Sequence, residues 1–262
     1  MKKHVRIIFT LVLMLTVFLS SCADTPETPD TTTASDTTAP VTTSQPEISF
    51  TDESENGVNV YKVKTVNNID DINWYDVPAV AIDTYKWVEC EEIEAYAQLA
   101  FIPDYGFVCR MTAVESDPFT RYTEYGDPAC LDSCLEFFVT FDGEKYINIE
   151  ANSGGALYVG IGASRNDHTP ADEILQESEM IVAAPKLEEG EWTVTIELPI
   201  EKLEKLYGKS MDSFESGFTF GGNFYKTECA DNGNEHYGMW NEVASDIPDF
   251  HRPDSFGKFI IE

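Results

Sequence analysis

Four tryptophans and twelve tyrosines stand in this 262-residue chain, and one tryptophan keeps notably polar company. Trp240 lies in a loop with His236, Tyr237, Gly238 and Asn241, whereas Trp74, Trp87 and Trp192 fall in segments that read as core or strand. A flat ring framed by fixed donors and acceptors is what a sugar-binding surface needs. The ring covers the apolar face of a pyranose, and the polar groups take its hydroxyls. Glu136 and Arg165 suit the second task, because a carboxylate or a planar guanidinium makes two parallel hydrogen bonds to adjacent hydroxyls.

The same side chains admit other chemistry. Glu136 and Glu150 fall on neighbouring predicted strands, and two carboxylates so placed are the acid and the nucleophile or base of a glycosidase. With 47 acidic residues in the chain, however, finding a pair says little. Met239 and His236 are of the types that ligate haem iron, but Met111 belongs to an apolar strand and the histidines are scattered. Glu228, Asp231, Asn232 and Asn234 offer oxygen ligands for a structural calcium ion, without EF-hand spacing. Cys130 and Cys134 have no second Cys/His pair at zinc-finger spacing, and Cys134 sits in an apolar run where a small buried residue is the ordinary reading. Asp249, His251 and Arg252, between prolines, read as internal ties for the last loop. The expectation is a non-catalytic site that requires no cofactor, with structural calcium left open.

The elements that must position these groups are strands. Val58 to Lys64 alternates cleanly, and Asp70 to Trp74 reads as a loop or short turn leading Trp74 into the core. Ala95 to Glu115 reads as a hairpin around the turn residues Pro103-Asp104-Tyr105-Gly106. Leu131 to Phe141 and Lys145 to Asn152 pair around Asp142-Gly143. Leu157 to Gly162 is a glycine-rich strand running into the polar loop Ser164 to His168, and Trp192 to Leu198 alternates strictly. Ile200 to Tyr207 is the one helix, ended by Gly208. In the last stretch Phe218, Phe220 and Phe224 share one face of a strand, and a final strand spans Phe256 to Ile261. Strands separated by turns, with one short helix and no βαβ rhythm, predict an all-β antiparallel β-sandwich.

The chain divides into three segments. Residues 1–21 read as an export signal: Lys2, Lys3 and Arg6 precede an apolar run from Ile7 to Leu19, and Leu19-Ser20-Ser21-Cys22 is a small-residue cleavage pattern ending in cysteine. This resembles a bacterial lipobox, which implies lipidation of Cys22, anchoring at the outer face of the cell membrane, and contact with lipid through that anchor alone. Residues 22–49, almost wholly Thr, Ser, Pro, Asp and Ala, cannot bury enough apolar surface to fold and read as a disordered tether. Residues 50–262 form the folded domain. A net charge of −30 disfavours nucleic acid, anionic lipid and acidic polysaccharides; neutral glycans remain compatible. Of six cysteines, setting Cys22 aside leaves an odd number, which argues against a full disulfide framework.

Several short motifs carry a resemblance. Asn223-Phe224-Tyr225-Lys226, His236-Tyr237, Trp240-Asn241, Pro248-Asp249-Phe250-His251-Arg252-Pro253 and Phe256-Gly257 follow one another as in the carbohydrate-binding family 9-like domains. Asp132-Ser133-Cys134-Leu135-Glu136-Phe137-Phe138 and Tyr146-Ile147-Asn148-Ile149-Glu150-Ala151-Asn152 resemble two further strands of that family. The resemblance spans about Tyr61 to Glu262. It implies a jelly-roll-like sandwich that binds glycans without cleaving them, and two aromatic rings that clamp the end of a glycan chain. Trp240 matches one ring. The other belongs before the Asp132-Ser133-Cys134 strand, where this chain has Tyr122 and Tyr125 in place of tryptophan. Asn223 and Lys226 join the polar set through their motif, beside His236 and Tyr237, although both could equally pin the loop from Cys229 to Gly233. Partners implied are a neutral glycan and secreted or surface glycoside hydrolases.

Overall fold

The computed structural model describes residues 47–211 and 214–262. The export signal, Cys22 and nearly all of the tether lie outside the described residues. In chain order the strands are β1 (Ser54–Glu55), β2 (Val58–Thr65), β3 (Ala79–Ala81), β4 (Thr84–Tyr85), β5 (Ala95–Ile102), β6 (Gly106–Ala113), β7 (Cys134–Thr140) and β8 (Tyr146–Asn152). They continue with β9 (Leu157–Ser164), β10 (Asp167–Pro170), β11 (Val182–Glu188), β12 (Glu191–Pro199), β13 (Thr219–Glu228), β14 (His236–Met239) and β15 (Gly257–Ile261). The helix α1 (Ile200–Tyr207) ends at Gly208, whose left-handed φ of +68° lets its N–H reach the Glu204 carbonyl.

Two layers result. One runs β11–β12–β6–β5 and the other β10–β9–β8–β7–β13–β15. The layers are continuous through β2, which lies parallel to β15 along Val60 to Val63 and parallel to β5 at Lys64 and Thr65. The expected sandwich is therefore present, but not wholly antiparallel. The first long strand enters beside the last one, running in the same direction, and its end crosses to the other layer. Two edge strands also form where the sequence shows no strand pattern: β10 in the loop after β9, and β11 on β12. Edge pairing needs only backbone groups, so side-chain alternation does not announce it.

The turn between β5 and β6 needs left-handed backbone at Asp104 (φ +63°) and at Gly106 (φ +138°). A side chain at Gly106 would also meet Ile200 N at 2.9 Å, so glycine is required twice over. Between the layers, Leu135, Phe137 and Val139 of β7, Ile147 and Ile149 of β8 and Phe220 and Phe224 of β13 pack against Leu99, Phe107, Trp192 and Ile196 of the other layer. Trp74 does not enter this core. It is half-buried on a short turn, with the Arg110 guanidinium 5.8 Å from its ring.

The opposite face of β7, β8 and β13 is also covered. Phe138, Tyr146, Tyr225, Met239, Val243, Phe250 and Phe256 form a second apolar cluster between that face and the C-terminal loop, with Trp87 and Tyr237 at its edge. A sheet buried on both faces is usual under helices; here a loop supplies the cover. That arrangement creates the site.

Candidate functional site

Across β13, β7, β8 and β9 the register places Tyr225, Glu136, Glu150 and Tyr158 in one rung, and Asn223, Phe138, Asn148 and Gly160 in the next. Cross-strand neighbours share a face, so the two carboxylates lie directly opposite each other beneath the C-terminal loop. Above them Pro248, Asp249, Phe250 and His251 form a roof, and Arg165, just beyond β9, closes one side. Together with Cys130, Cys229, Phe138 and Tyr237 these groups bound a cleft of about 280 Å³.

The roof is tied down at three points. Phe250 stacks on Tyr225 with ring centroids 4.0 Å apart. The Tyr146 hydroxyl and His251 Nδ1 are 2.7 Å apart. Arg165 donates from Nε (3.1 Å) and Nη2 (2.9 Å) to one oxygen of Asp249, leaving the rest of an exposed guanidinium free at the rim. Asp249 and His251 thus tie the loop as their sequence suggests, and they also line the cleft. Arg252 points elsewhere, to Asp254.

The floor is electrostatically tense. Glu136 is 3% exposed and Glu150 8%. Burial, followed by the nearby Glu150 carboxylate, pushes Glu136 well above the ordinary carboxyl range. Burial raises Glu150 as well, opposed by hydrogen bonds from the Cys130 thiol and from Asn148 Nδ2 at 2.8 Å, and by Arg165. Two adjacent buried carboxyls avoid mutual repulsion by retaining a proton, so the floor offers both an acceptor and a donor. Beside them Asn148 is 1% exposed and its Oδ1 has no hydrogen-bond partner. An orphaned buried amide oxygen is costly.

Of the nine residues singled out from sequence, the cleft gathers Glu136, Arg165 and Tyr237. Trp240 is no platform. It is 5% exposed, packed among Tyr61, Phe224 and Phe259, with Gly257 pressed against its ring. Its polar neighbours satisfy backbone: Asn241 Nδ2 donates to the Ser255 carbonyl (2.9 Å), and Asn241 Oδ1 accepts from Asn59 N–H (2.9 Å). Asn223 is fully buried and bonds both main-chain groups of Asn241.

Lys226 is also fully buried, on the inner face. Its ammonium lies 2.8 Å from His236 Nε2, 3.1 Å from Ser133 Oγ and 3.3 Å from Glu115. Burial and the Lys226 charge hold His236 neutral, down to about 4, with Nδ1 facing the Asn234 carbonyl at 2.8 Å. His236 borders a different, acidic cleft lined by Glu89, Glu91, Glu115, Asp117 and Glu228. Its distance from the carboxylate pair follows from the strand alternation that turns Lys226 inward while Tyr225 faces out.

Tyr122 and Tyr125 leave the clamp unformed. The Tyr122 ring packs on Ala129, Cys134 and Ala156, and its backbone is bound by Asp132 and Asn152. Tyr125, 37% exposed, faces a separate groove beside Leu175 and Met180. Trp87 packs directly on two residues of the cleft wall. It packs edge-on to Tyr237 and tilted to Phe250, both at 5.6 Å, and its Nε1 donates to Ser245 O at 2.9 Å. Its φ of +74° is a strained left-handed backbone for a tryptophan. Neither that conformation nor the contact with a loop about 160 residues away has a local sequence signal.

The haem ligands do not assemble, since Met239 is buried and its sulfur accepts the Val243 N–H, while His236 Nε2 faces Lys226. Among the described residues no group of three or more His, Cys, Asp and Glu is gathered as a metal set. Glu228 is held by Asn232 Nδ2 at 2.6 Å.

The family model for carbohydrate-binding family 9 matches residues 62–261. The chain belongs to carbohydrate-binding family 9. Solved structures share its fold. A candidate carbohydrate-binding protein from Bacteroides uniformis superposes with a TM-score of 0.65 at 21% identity, covering 78% of this chain and 99% of that one. A family 9 module from Caldicellulosiruptor kristjanssonii in complex with cellotriose superposes with a TM-score of 0.51 at 12% identity, over 78% and 94% of the two chains. A comparison with curated protein sequences found no match. Within this family 9 chain the motifs divide into two kinds. Asp132, Asn152, Asn223, Trp240 and Asn241 hold the backbone together, whereas Glu136, Glu150, Asp249 and His251 surround the cleft.

Proposed function

We propose that this family 9 chain is a non-catalytic binder of neutral, glucose-type oligosaccharides, and that the cleft between the β7–β8 carboxylates and the C-terminal loop is its site. The observation that carries the reading is the convergence of Glu136, Glu150 and Arg165, which supply acceptors, a donor and a half-free guanidinium, with the aromatic edges of Tyr237 and Phe250 at one small cleft. Vicinal hydroxyls match such a set, and the cellotriose complex of the Caldicellulosiruptor module supports the choice of glycan class. Cys22 carries lipid in this proposal, and the Thr/Ser/Pro-rich segment holds the domain off the membrane, where it retains glycan fragments near surface hydrolases.

Calorimetry of the full-length protein with cellotriose and other neutral oligosaccharides, with reducing-sugar release measured in the same samples, tests the binding. Saturable heat that Arg165→Ala and Glu136→Gln diminish, without new reducing ends, is expected. Release abolished by Glu136→Gln would instead make the carboxylate pair catalytic. Absence of heat across the panel would sink the reading. Radiolabelled palmitate should label cells expressing the wild type and not Cys22→Ala.

A further inference from the structure

Cys130 and Cys229 enter the cleft from two different segments. Cys130 belongs to the short turn Ala129–Leu131 that precedes β7, and Cys229 immediately follows β13. Their backbones are one hydrogen bond apart, Cys229 N–H donating to Cys130 O at 2.9 Å. Their side chains open onto the same wall of the cleft, beside Glu150. Both residues are half-buried and line the cleft wall. A direct backbone hydrogen bond between the two residues, with both lining the same cleft wall, is the kind of close approach that a bridge requires. The other described cysteines have no such relation. Cys109 and Cys134 are fully buried within strands, and Cys90 lines the separate acidic cleft.

We propose that Cys130 and Cys229 are a cross-linking site, joined as a disulfide in the wall of the cleft by exchange with a small-molecule or protein disulfide. The two residues are dithiol in this structure, and the inference stands apart from the glycan reading. In the exchange the Cys229 thiolate attacks one sulfur of the incoming disulfide, RS–SR, and expels RS⁻, which is protonated to RSH. Cys130 then attacks the Cys229 sulfur of the mixed disulfide and expels the second RS⁻. Its proton leaves by way of the Glu150 carboxyl on the same cleft wall and ends on that thiol. Two cysteine thiols and RS–SR thus give one internal disulfide and two RSH.

The surroundings favour this order of events. Cys229 accepts hydrogen bonds from the Cys130 thiol, from Thr227 Oγ1 at 3.2 Å and from the Tyr237 hydroxyl. Against the opposing effect of burial they hold its thiol down to about 7, which gives it a large thiolate share at neutral pH and makes it the nucleophile of such exchange. The neighbouring Cys229 sulfur, followed by burial and the Glu150 carboxyl, pushes Cys130 upward, and it keeps its proton until the second step.

Treating the full-length protein with oxidised glutathione, quenching with acid, and digesting with an enzyme that cuts before aspartate separates the candidates. Cys130 then falls in peptide 127–131, Cys134 in a peptide beginning at Asp132, and Cys229 in peptide 212–230. Mass spectrometry should show 127–131 linked to 212–230, with the link lost on reduction. In Cys130→Ser, Cys229 should be trapped as the glutathione mixed disulfide, while Cys134→Ala should keep the link. A wild-type Cys229 found free, stably glutathionylated, or bridged to Cys90 or Cys134 would overturn the assignment, and the wild-type map decides this without any variant.

Discussion

Glu136 and Arg165 contribute to the cleft in opposite ways. Arg165 is more than half exposed and paired to one oxygen of Asp249, and an exposed pair of this kind contributes about 0–1 kcal/mol to stability. A guanidinium hydrogen bond to a ligand hydroxyl, in contrast, is worth about 1.5–3 kcal/mol. Arg165→Ala should therefore leave the melting temperature within about 3 °C of wild type. Its affinity for cellotriose should fall by roughly 10- to 100-fold; a large melting shift with unchanged affinity would make the residue a structural tie. Glu136 behaves differently because its carboxyl is buried beside Glu150 and titrates above its ordinary value of 4.5. The folded state binds this proton more tightly than the unfolded chain does. Its contribution is thus complete below about pH 4.5 and is lost as the pH rises through the folded value. Glu136→Gln, which is always neutral, should melt at least about 3 °C above wild type at pH 8, and the advantage should vanish near pH 4. A constant difference across this range would mean that the pair does not share a proton.

At the scale of elements, β13 faces three environments in turn. Phe224 enters the sandwich core, Tyr225 meets the loop over the cleft, and Lys226 completes a buried network with Glu115, Ser133 and His236. Glu115 also accepts from Trp192 Nε1 at 2.8 Å and from Ser133 Oγ at 2.6 Å. Deleting the ammonium strands a largely buried carboxylate, so Lys226→Ala should cost about 3–5 kcal/mol in urea unfolding. A cost below about 1 kcal/mol would show that the network is solvated. His236 adds a pH dependence of the reverse sign to that of Glu136. Its folded value is depressed from 6.5 to about 4, so its contribution is present above pH 6.5 and is lost as the pH falls towards 4.

Trp240 belongs to the same scale, because it locks the β13–β15 junction. A Cβ at Gly257 would come 2.7 Å from the indole Cη2. Trp240→Ala should therefore lose about 3–5 kcal/mol of stability, and the fraction that remains folded should bind cellotriose as wild type does. Lost affinity at full folding would return the indole to the binding surface.

For the whole molecule, continuity between layers depends on β2 lying between β15 and β5. Thr65 Oγ1 donates to the Glu262 carbonyl at 2.6 Å, and Glu262 N–H to Val63 O at 3.0 Å, so the first and last strands close the fold together. A chain ending at Phe256 should lose its single cooperative unfolding transition. Retention of that transition would show that either layer folds without the junction.

The elements were mostly legible in the sequence because their signals are local. Alternation marked β2, β5, β6, β12 and β13, Gly208 marked the helix end, and glycine and aspartate marked the β5–β6 turn. The edge strands β10 and β11, and the parallel joins at β2, carry no side-chain pattern. The family, too, was legible, since its motifs survive in order along the chain. The role of each motif residue was not. Trp240 in polar company reads as a platform, yet its neighbours Asn223 and Asn241 spend their amides on backbone, and the ring closes the core. Asp249 and His251 read as ties, yet the loop they hold is the roof of the cleft. Residue order along the chain was enough to set the long central strands and the apolar face of each, because a two-residue period depends only on neighbours along the chain. Tertiary structure alone decided that the polar face of β7 and β8 would be covered by the C-terminal loop. Burial of Glu136 and Glu150, and hence their chemistry, depends on a segment about 100 residues away.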